Sequence, residues 1–296
     1  MTHAKHKAGF VNIVGNPNVG KSTLMNELVG ERLSIVTNKS QTTRHRILGI
    51  LNSDDYQIVF SDTPGVLKPA YKLQESMLKF SESALVDADV IVYITDVQES
   101  AEKNEDFLNK IRHQQIPVLL ILNKIDLTTQ EQLVKLVEEW EERLPQAEII
   151  PSSALNKFNT EYILKRIVEL LPEGEAYYDK DVLTDKPMRF FVSEIVREKI
   201  LLLYQKEIPY SVEVVVDSYE EGEVRDIIRA VILVARDSQK GIIIGSKGAG
   251  IKQLGIEARK DIEAFLQKPV HLELFVKVSK DWRDNEKLLK QFGYNN

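Results

Sequence analysis

Apolar residues in the first 170 positions form short runs that alternate with amphipathic stretches. The middle runs have no polar alternation, which is typical of parallel strands buried on both faces. We predict strands over Phe10–Gly15, Tyr56–Asp62, Val90–Thr95, Val118–Asn123 and Ile149–Pro151. Helical spacing predicts helices over Ser22–Val29, Leu73–Ala88, Ala101–Gln114, Gln130–Arg143 and Phe158–Leu171. This order indicates an α/β domain with a mostly parallel sheet and helices on both faces.

The pattern changes after Leu171. Residues 172–187 are acidic and lie between two prolines, so we interpret them as a linker between a first domain, residues 1–171, and a second domain, residues 188–296. The second domain is predicted to be α+β. Its expected elements are helix Met188–Leu203, strands Tyr210–Asp217 and Asp226–Arg236, a glycine-rich loop, helix Ala249–Gln267, strand Val270–Val278 and a short terminal helix.

Composition narrows the class of protein. The chain has 296 residues, of which 43% are hydrophobic and 28% charged, as in ordinary globular proteins of two domains. It has no cysteine, which excludes disulfides and thiolate metal sites. The sequence contains no apolar run long enough for a spanning helix and no signal-peptide core, so we expect a cytoplasmic protein.

Charge is distributed unevenly between the two halves. Residues 1–188 carry 21 basic and 28 acidic side chains, whereas residues 189–296 carry 18 and 17. Within the second half, Arg236–Lys260 holds six basic residues against two acidic ones. Such a run is either a solvent-exposed helix face or a binding surface for a polyanion. The three-dimensional structure is needed to distinguish the two.

The segment GNPNVGKS, at Gly15–Ser22, satisfies GxxxxGK[ST] between a predicted strand and a predicted helix. In this context backbone N–H groups converge on phosphates, Lys21 reaches the terminal phosphates, and Ser22 supplies an oxygen to Mg²⁺. An ordinary strand-to-helix turn is the alternative. The predicted phosphate-binding residues are Gly15, Asn16, Pro17, Asn18, Val19, Gly20, Lys21, Ser22 and Thr23.

Three further motifs follow predicted strands and indicate which nucleotide binds. DTPG places Asp62 near Mg²⁺ and Gly65 near a γ-phosphate. In NKID, the Asp126 carboxylate can accept hydrogen bonds from guanine N1–H and the 2-amino group, donors that adenine lacks, which opposes an ATP-dependent enzyme. SSA completes the predicted binding site for the guanine base. The predicted residues are Asp62, Thr63, Pro64, Gly65, Val66, Asn123, Lys124, Asp126, Ser152, Ser153 and Ala154.

With these motifs in order, the chain resembles the translation-factor-related GTPases and, among them, the Era-type ribosome-assembly GTPases. Further marks of the resemblance are QTTRHRILGI, at Gln41–Ile50, which would be the first switch, and IPYSVEV, GIIIGSKGAGIKQLG and KDWRDNEKLL. The resemblance covers nearly the whole chain. It implies that a P-loop GTPase domain is followed by a type II KH domain of order αββααβ.

The KH assignment explains the second glycine-rich segment, GIIIGSKGAG. Its GxxG loop would lie against the sugar-phosphate of single-stranded RNA. A second nucleotide pocket is opposed by the lack of a hydroxyl residue after the lysine. A plain glycine turn is the other alternative. The implied RNA-binding residues are Ile244, Gly245, Ser246, Lys247, Gly248, Ile251 and Lys252. The family commonly has lysine at position 246 and glycine at 247, so the phosphate contacts need not be the same.

The implied reaction is hydrolysis of GTP by in-line attack of water. Lys21, Asp62 and Gly65 are the expected catalytic residues, together with Thr42 or Thr43, one of which completes the Mg²⁺ site of Ser22 and Asp62. Asn18 matches a potassium-binding position in some relatives. Val66 stands where Ras-like enzymes have a water-orienting glutamine, which predicts slow intrinsic turnover. Arg44 and Arg46 are candidates for stabilising the charge that develops on the phosphates during hydrolysis. The alternative is that they face solvent or RNA.

The resemblance also implies partners and a place in the cell. They are GTP and GDP, the 3′ end of small-subunit ribosomal RNA, and the small ribosomal subunit during its assembly. We expect a monomer, with a secondary, weak peripheral contact at the inner face of the plasma membrane. The competing hypothesis is a GTPase whose C-terminal domain docks a protein or membrane partner rather than RNA.

Overall fold

A computed structural model of the chain describes residues 6–99 and 105–294. The chain divides into two compact units. The first comprises residues 1–70 and 74–185, and the second residues 71–73 and 186–296.

The first unit is built on a six-stranded sheet. Its order is β2-β3-β1-β4-β5-β6, and every neighbouring pair is parallel except β2 with β3. The central strands β4 and β5 are buried along their whole length, which explains their continuous apolar sequences. The strands are β1 Lys7–Val14, β2 Ile47–Asn52, β3 Tyr56–Asp62, β4 Val90–Asp96, β5 Val118–Asn123 and β6 Ala147–Pro151.

Helices connect the parallel strands. They are α1 Lys21–Val29, α2 Lys72–Val86, α3 Glu105–Arg112, α4 Gln130–Arg143 and α5 Thr160–Leu170. Helix α4 begins with a capping box in which Thr129 and Gln132 satisfy each other's backbone N–H groups. The predicted elements correspond closely to these, although residues 101–104 of the helix expected over Ala101–Gln114 lie outside the described residues.

Strand β2 was missed from the sequence because its short apolar run lies inside the stretch interpreted as the first switch. It is an edge strand, and residues of the expected linker cover it: Ile50 N–H donates to Leu183 O at 2.8 Å. Gln57 accepts from the N–H of both Tyr177 and Tyr178. Residues 172–185 therefore belong to the first unit, where they protect the sheet edge.

The second unit packs helices on one face of a three-stranded sheet of order β7-β8-β9, with β7 antiparallel and β9 parallel to β8. Its elements are α6 Met188–Leu203, α7 Ile208–Ser211, β7 Val212–Glu220, β8 Asp226–Val234, α8 Asp237–Ile244, α9 Ala249–Leu266, β9 Val270–Val278 and α10 Glu286–Gln291. Trp282 is fully buried and donates Nε1–H to Ser211 O, which fixes the terminal segment.

Helix α8 is absent from the elements expected on periodicity, and that expectation was wrong. The helix holds Gly241 and three consecutive isoleucines, all of low helix propensity. Packing overrides propensity here, because Ile243 is fully buried and Tyr204 Oη donates to Ile243 O at 2.9 Å. The order α6, β7, β8, α8, α9, β9 is αββααβ if the single turn α7 is set aside.

In the part of the chain that the structure describes, no helix combines the length and apolarity that crossing a membrane requires. No group of three or more histidine or acidic side chains among the described residues is arranged to hold a metal ion.

Candidate nucleotide and RNA sites

A cavity of about 440 Å³ lies at the carboxyl edge of the first sheet, a size typical of small-molecule sites. It is bordered by the loop between β1 and α1. Gly15 and Gly20 have positive φ angles of 150° and 105°. A Cβ on Gly15 would lie 2.1 Å from Ile94 O, and one on Gly20 would lie 2.2 Å from Asn123 Nδ2. Glycine is therefore required at both positions for the loop to fold against β4 and β5.

Three oxygen-bearing side chains meet at one end of the cavity. Ser22 Oγ donates to Asp62 Oδ2 at 2.7 Å and lies 2.9 Å from Thr43 Oγ1, which donates to the same carboxylate oxygen at 3.2 Å. Asp62 Oδ1 is buried and has no hydrogen-bond partner among the described residues. Hard oxygen ligands with one unsatisfied buried carboxylate oxygen fit a Mg²⁺ ion.

The electrostatics of this cluster agree with a site for a cation and an anion. Burial raises the pKa of the Asp62 carboxyl above its usual value, and the charge of Lys21 opposes that rise. Burial likewise lowers the pKa of Lys21 to about 8, although Asp62 opposes the change. The Lys21 ammonium donates only to loop carbonyls, Gly15 O at 3.2 Å and Asn16 O at 2.7 Å, among the contacts of the described chain. A bound phosphate would give this buried cation a counter-charge.

The two candidate switch threonines occupy different places. Thr43 Oγ1 lies in the cluster with Ser22 and Asp62. Thr42 Oγ1 instead donates to Lys39 O at 2.6 Å and lies 2.7 Å from Thr37 Oγ1. The structure thus brings Thr43, and not Thr42, to the oxygen cluster.

The DTPG segment closes tightly on the phosphate loop. A Cβ on Gly65 would lie 2.6 Å from Pro17 N and Cα, so only glycine permits this approach. Val66 N–H donates to Gly15 O at 3.0 Å, and the Val66 side chain is buried in the apolar core beside Tyr93. The side chain at position 66 therefore has no hydrogen-bonding group to offer to the cavity.

The other end of the cavity is assembled around Asn123. Its Nδ2 donates to Val19 O at 2.8 Å, and its Oδ1 accepts from Ala154 N–H at 2.9 Å. Ser153 Oγ donates to Asp126 Oδ1 at 2.5 Å. These bonds join the phosphate loop, NKID and SSA, and they hold the Asp126 carboxylate at the cavity wall.

Lys124 adds a contact that the sequence did not reveal. Its ammonium donates to Asn18 O and to Asp96 Oδ2, both at 2.6 Å. Asp96 is 7% exposed and ends β4, so it fixes the lysine across the loop. Asp96 could have been predicted as a site residue from its position at the carboxyl end of a strand in the α/β domain, where ligands bind.

The predicted nucleotide-binding residues divide into two groups. Those that line the cavity are Pro17, Asn18, Gly20, Lys21, Ser22, Thr23, Thr42, Thr43, Gly65, Asn123, Lys124, Asp126 and Ser153. Gly15, Asn16, Val19, Asp62, Thr63, Pro64, Val66, Ser152 and Ala154 stand behind this wall as its support. Lining residues that were not predicted as site residues are Ile35, Val36, Thr37, Asn38, Gln41, Leu127 and Leu155. Of these, Gln41 begins QTTRHRILGI, and the other six lie outside the motifs.

In the second unit, the Gly245–Gly248 loop joins α8 to α9. Gly245 and Gly248 have φ angles of 71° and 80°, and Lys247 also adopts the left-handed region at 50°. Ser246 and Lys247 are exposed at the tip of the loop. The backbone is thus presented to solvent at the N-terminus of an 18-residue helix, as phosphate binding requires.

A groove of about 320 Å³ runs beside α9 and β9. Its lining is Ile251, Lys252, Gly255, Ile256, Arg259, Leu272 and Leu274. Two predicted RNA-binding residues, Ile251 and Lys252, lie in it. The groove combines apolar walls with two basic side chains, a composition suited to stacked bases and their phosphates.

Comparisons with known proteins agree with this geometry. Residues 10–124 match the family described as 50S ribosome-binding GTPase, and residues 207–283 match the KH domain family. GTPase Era of Geotalea daltonii is 45% identical over 299 residues, covering 99% of this chain and 100% of that protein. GTPase Era of Clostridium kluyveri is 46% identical over 290 residues, covering 97% and 99%.

Two solved structures are similar over both units. A variant of Aquifex aeolicus Era bound to GDP and AlF₄⁻ gives a TM-score of 0.93 at 40% identity, covering 97% of this chain and 99% of that one. Era in complex with MgGDPNP and nucleotides 1506–1542 of 16S ribosomal RNA gives 0.93 at 40% identity, covering 98% and 99%. The expected P-loop GTPase domain and KH domain are both confirmed, and the chain belongs to the Era family of GTPases.

Proposed function

We propose that this chain is a GTP-hydrolysing switch that binds the 3′ end of 16S ribosomal RNA and acts in assembly of the 30S subunit and rRNA maturation. The observation that carries the proposal is one cavity with Ser22 and Thr43 at its phosphate end and Asp126 at its base end. The complex of a 40% identical Era with MgGDPNP and a 16S rRNA segment supports the choice of RNA.

The chain's own groups account for phosphate binding. Lys21 and the residues that open α1 line the cavity. The Lys21 ammonium and the backbone N–H groups there would bind the β- and γ-phosphates and stabilise charge that develops during hydrolysis. Ser22 and Thr43 would hold Mg²⁺, with Asp62 behind them, and the bound ion would neutralise phosphate charge. Gly65 would direct its N–H to the γ-phosphate.

Intrinsic turnover is expected to be slow. Val66 is apolar and buried in the core, so it cannot orient the attacking water by hydrogen bonding. Hydrolysis then depends on rearrangement of the segments around Thr43 and Gly65, which RNA or a ribosomal particle would promote.

A potassium ion beside the phosphates is a second part of the proposal. Asn18 is exposed at the cavity wall, and its own carbonyl is already bonded to Lys124. The side-chain amide oxygen is the group we assign to K⁺. Hydrolysis should be faster in KCl than in NaCl, and Asn18→Ala should remove the difference; equal rates for the wild type would refute this role.

RNA binding is assigned to the second unit. Gly245, Ser246, Lys247 and Gly248 would contact the sugar-phosphate, while Ile244, Ile251 and Lys252 flank the bases. The alternative is a protein or membrane partner at the same surface. The basic window Arg236–Lys260 favours RNA, because it combines an exposed backbone loop with a groove of suitable chemistry.

The experiment is binding to an RNA oligonucleotide with the 16S rRNA 3′-end sequence, in the presence of GDPNP or GDP. Replacing Gly245 and Gly248 by Asp should abolish RNA binding and spare GTP binding, because carboxylates would face phosphates. Gly293→Asp is the control, since Gly293 is exposed in the same unit and also has a positive φ, 83°. Unchanged RNA affinity in the double variant would reject the assignment.

Cytoplasmic location, a monomeric state and weak peripheral contact with the plasma membrane complete the proposal. The membrane contact follows from the family resemblance alone. Co-sedimentation with anionic lipid vesicles, compared with neutral vesicles at the same ionic strength, would test it. Sedimentation equilibrium would test the monomer.

A further inference from the structure

A partly buried polar cluster lies where β1, β2 and β3 meet the end of α2, and Arg46 is at its centre. Arg46 Nη1 and Nη2 donate to the two carboxylate oxygens of Asp87 at 2.6 and 2.9 Å. Arg46 Nε donates to Ser61 Oγ at 2.7 Å, and Nη2 also donates to Asn12 Oδ1 at 3.2 Å. Asn12 Nδ2 in turn donates to Ala84 O and to Asp87 Oδ1.

The cluster contradicts the role considered for Arg46 from the sequence. The Arg46 side chain is 17% exposed, and Asp87 is 48% exposed. The guanidinium is bonded to three side chains, so it is neither free in solvent nor directed at the phosphates. Arg44, unlike Arg46, is fully buried. Neither arginine lines the nucleotide cavity among the residues described.

Arg46 itself and two of the residues that it bonds are close in sequence to site residues. Thr43 precedes Arg46 by three residues, Asp62 directly follows Ser61, and Gly15 is three residues after Asn12. Asp87 directly follows α2, the helix downstream of DTPG. The Arg46 guanidinium therefore connects three segments that form the phosphate end of the cavity to the end of α2, the helix that follows DTPG.

Only arginine can make this set of contacts. Ser61 and Asn12 are fully buried, so their polar atoms need partners inside the protein. The planar fork of arginine meets a carboxylate bidentately and still has donors for two other side chains, whereas a lysine ammonium is a single point charge.

We propose that Arg46 is a positioning residue for the triphosphate state. It holds the start of β2 so that Thr43 Oγ1 stays with Ser22 and Asp62, and it connects that position to α2 through Asp87. The inference rests on the proposed GTPase switch, because it gives Thr43 a role with Mg²⁺ and the γ-phosphate.

The proposal predicts different effects on the affinities for GDP and for a GTP analogue. GDP has no γ-phosphate, and its base and remaining phosphates are served by the phosphate loop, NKID and SSA. None of the hydrogen bonds from Arg46 goes to those three segments within the described chain. Loss of the Arg46 contacts should therefore weaken binding of a GTP analogue more than binding of GDP.

The test measures Kd for GDP and for GDPNP, with Mg²⁺, in the full-length wild type, Arg46→Lys and Asp87→Asn. We expect at least a fivefold loss of affinity for GDPNP relative to GDP, with GDP affinity within twofold of wild type. A double-mutant cycle of the two changes should be non-additive. Arg166→Lys is the matched control: Arg166 also bonds both oxygens of a carboxylate, that of Glu148, and should leave the GDPNP to GDP ratio unchanged.

Two results would overturn the inference. Equal loss of affinity for both nucleotides would mean that Arg46 only stabilises the fold, and thermal unfolding midpoints of the variants would measure that loss. Unchanged affinity for both would mean that Arg46 has no role in binding. Failure of the proposed function is distinguishable, because the wild type itself would then bind GDPNP no better than an adenine nucleotide.

Discussion

Ala154 donates its backbone N–H to Asn123 Oδ1 at 2.9 Å, while Asn123 Nδ2 donates to Val19 O. One buried amide thus holds SSA and the phosphate loop on either side of β5. The base end and the phosphate end of the cavity share this single support.

Asn123→Ala should weaken GDP and GTP binding about equally, by roughly 10- to 100-fold. Two buried hydrogen bonds are lost, each worth about 1 kcal/mol or more when a partner is left unsatisfied. Fluorescent nucleotide titration measures the effect. Asn109→Ala, on an exposed position of α3, is the control. An affinity within threefold of wild type would show that Asn123 does not organise the cavity.

Gly20→Ala should abolish nucleotide binding. Its Cβ would lie 2.2 Å from Asn123 Nδ2, and its φ of 105° is strained for alanine. Gly30→Ala distinguishes the effect of backbone strain from that of a steric clash. Gly30 has a φ of 81°, and no atom of the described chain lies within 4 Å of the added Cβ. That control should lose about 1 kcal/mol of stability and still bind. Normal GDP binding by Gly20→Ala would contradict the loop geometry.

Asp226 should give the second unit a pH-dependent stability. Hydrogen bonding to Lys268 is the main cause that lowers the pKa of this carboxyl, with Tyr219 Oη at 2.8 Å and Gly222 N–H also donating. The folded state therefore binds fewer protons than the unfolded state. The contribution is complete above the usual value of 3.8 and is lost as pH falls through the lower folded pKa.

Asp226→Asn tests this pH dependence. It should lower the free energy of unfolding by about 2 kcal/mol at pH 7, and by progressively less as the pH falls below 3.8 and through the lower folded pKa, where the Asp226 carboxyl becomes protonated. Urea unfolding followed by Trp282 fluorescence, in a Trp140→Phe background, reports the second unit. Exposed Asp217 on β7, changed to Asn, is the control. A difference that stays constant as the pH is lowered from 7 to the lowest value at which the second unit remains folded would contradict the assignment.

Gly255 lowers the stability of α9, and no close contact among the described residues requires glycine at this position. It lies in the middle of α9, and an added Cβ would meet only Leu274 Cδ1, at an ordinary 3.7 Å, among the described atoms. It also lines the groove. Gly255→Ala should therefore raise stability by about 0.5–1 kcal/mol yet weaken RNA binding about tenfold, because the methyl group occupies space needed by a base.

Two substitutions in α9 control for the Gly255 prediction. Gln253→Ala, on an exposed position outside the groove lining, should change RNA affinity little. Gly250→Ala should destabilise the unit, because its Cβ would lie 2.7 Å from Ile243 O. If Gly255→Ala gains stability and keeps full RNA affinity, bases do not pack against this helix.

The sequence predicted those parts of the fold that local patterns dictate. Strands β4 and β5 are recognisable because burial on both faces requires an apolar residue at every position, and the motifs follow strand ends because the sheet places its ligand there. Short elements such as β2 and α8 were missed, since long-range packing rather than propensity stabilises them.

Side-chain contacts between distant segments also could not be predicted from the sequence. Nothing in the order of residues pairs Arg46 with Asp87 or Lys124 with Asp96. The choice between Thr42 and Thr43 likewise depends on the path of the segment before β2, which only the folded backbone fixes.

The central claim is that the Asp126 carboxylate selects guanine. Calorimetric titration of the wild type and Asp126→Asn with GDP, ADP and xanthosine diphosphate tests it most directly, because an asparagine amide can donate to the 2-oxo group of xanthine but cannot accept from both guanine donors. We predict that the wild type binds GDP alone with high affinity and that the variant prefers the xanthine nucleotide. Equal binding of GDP and ADP by the wild type would contradict the account.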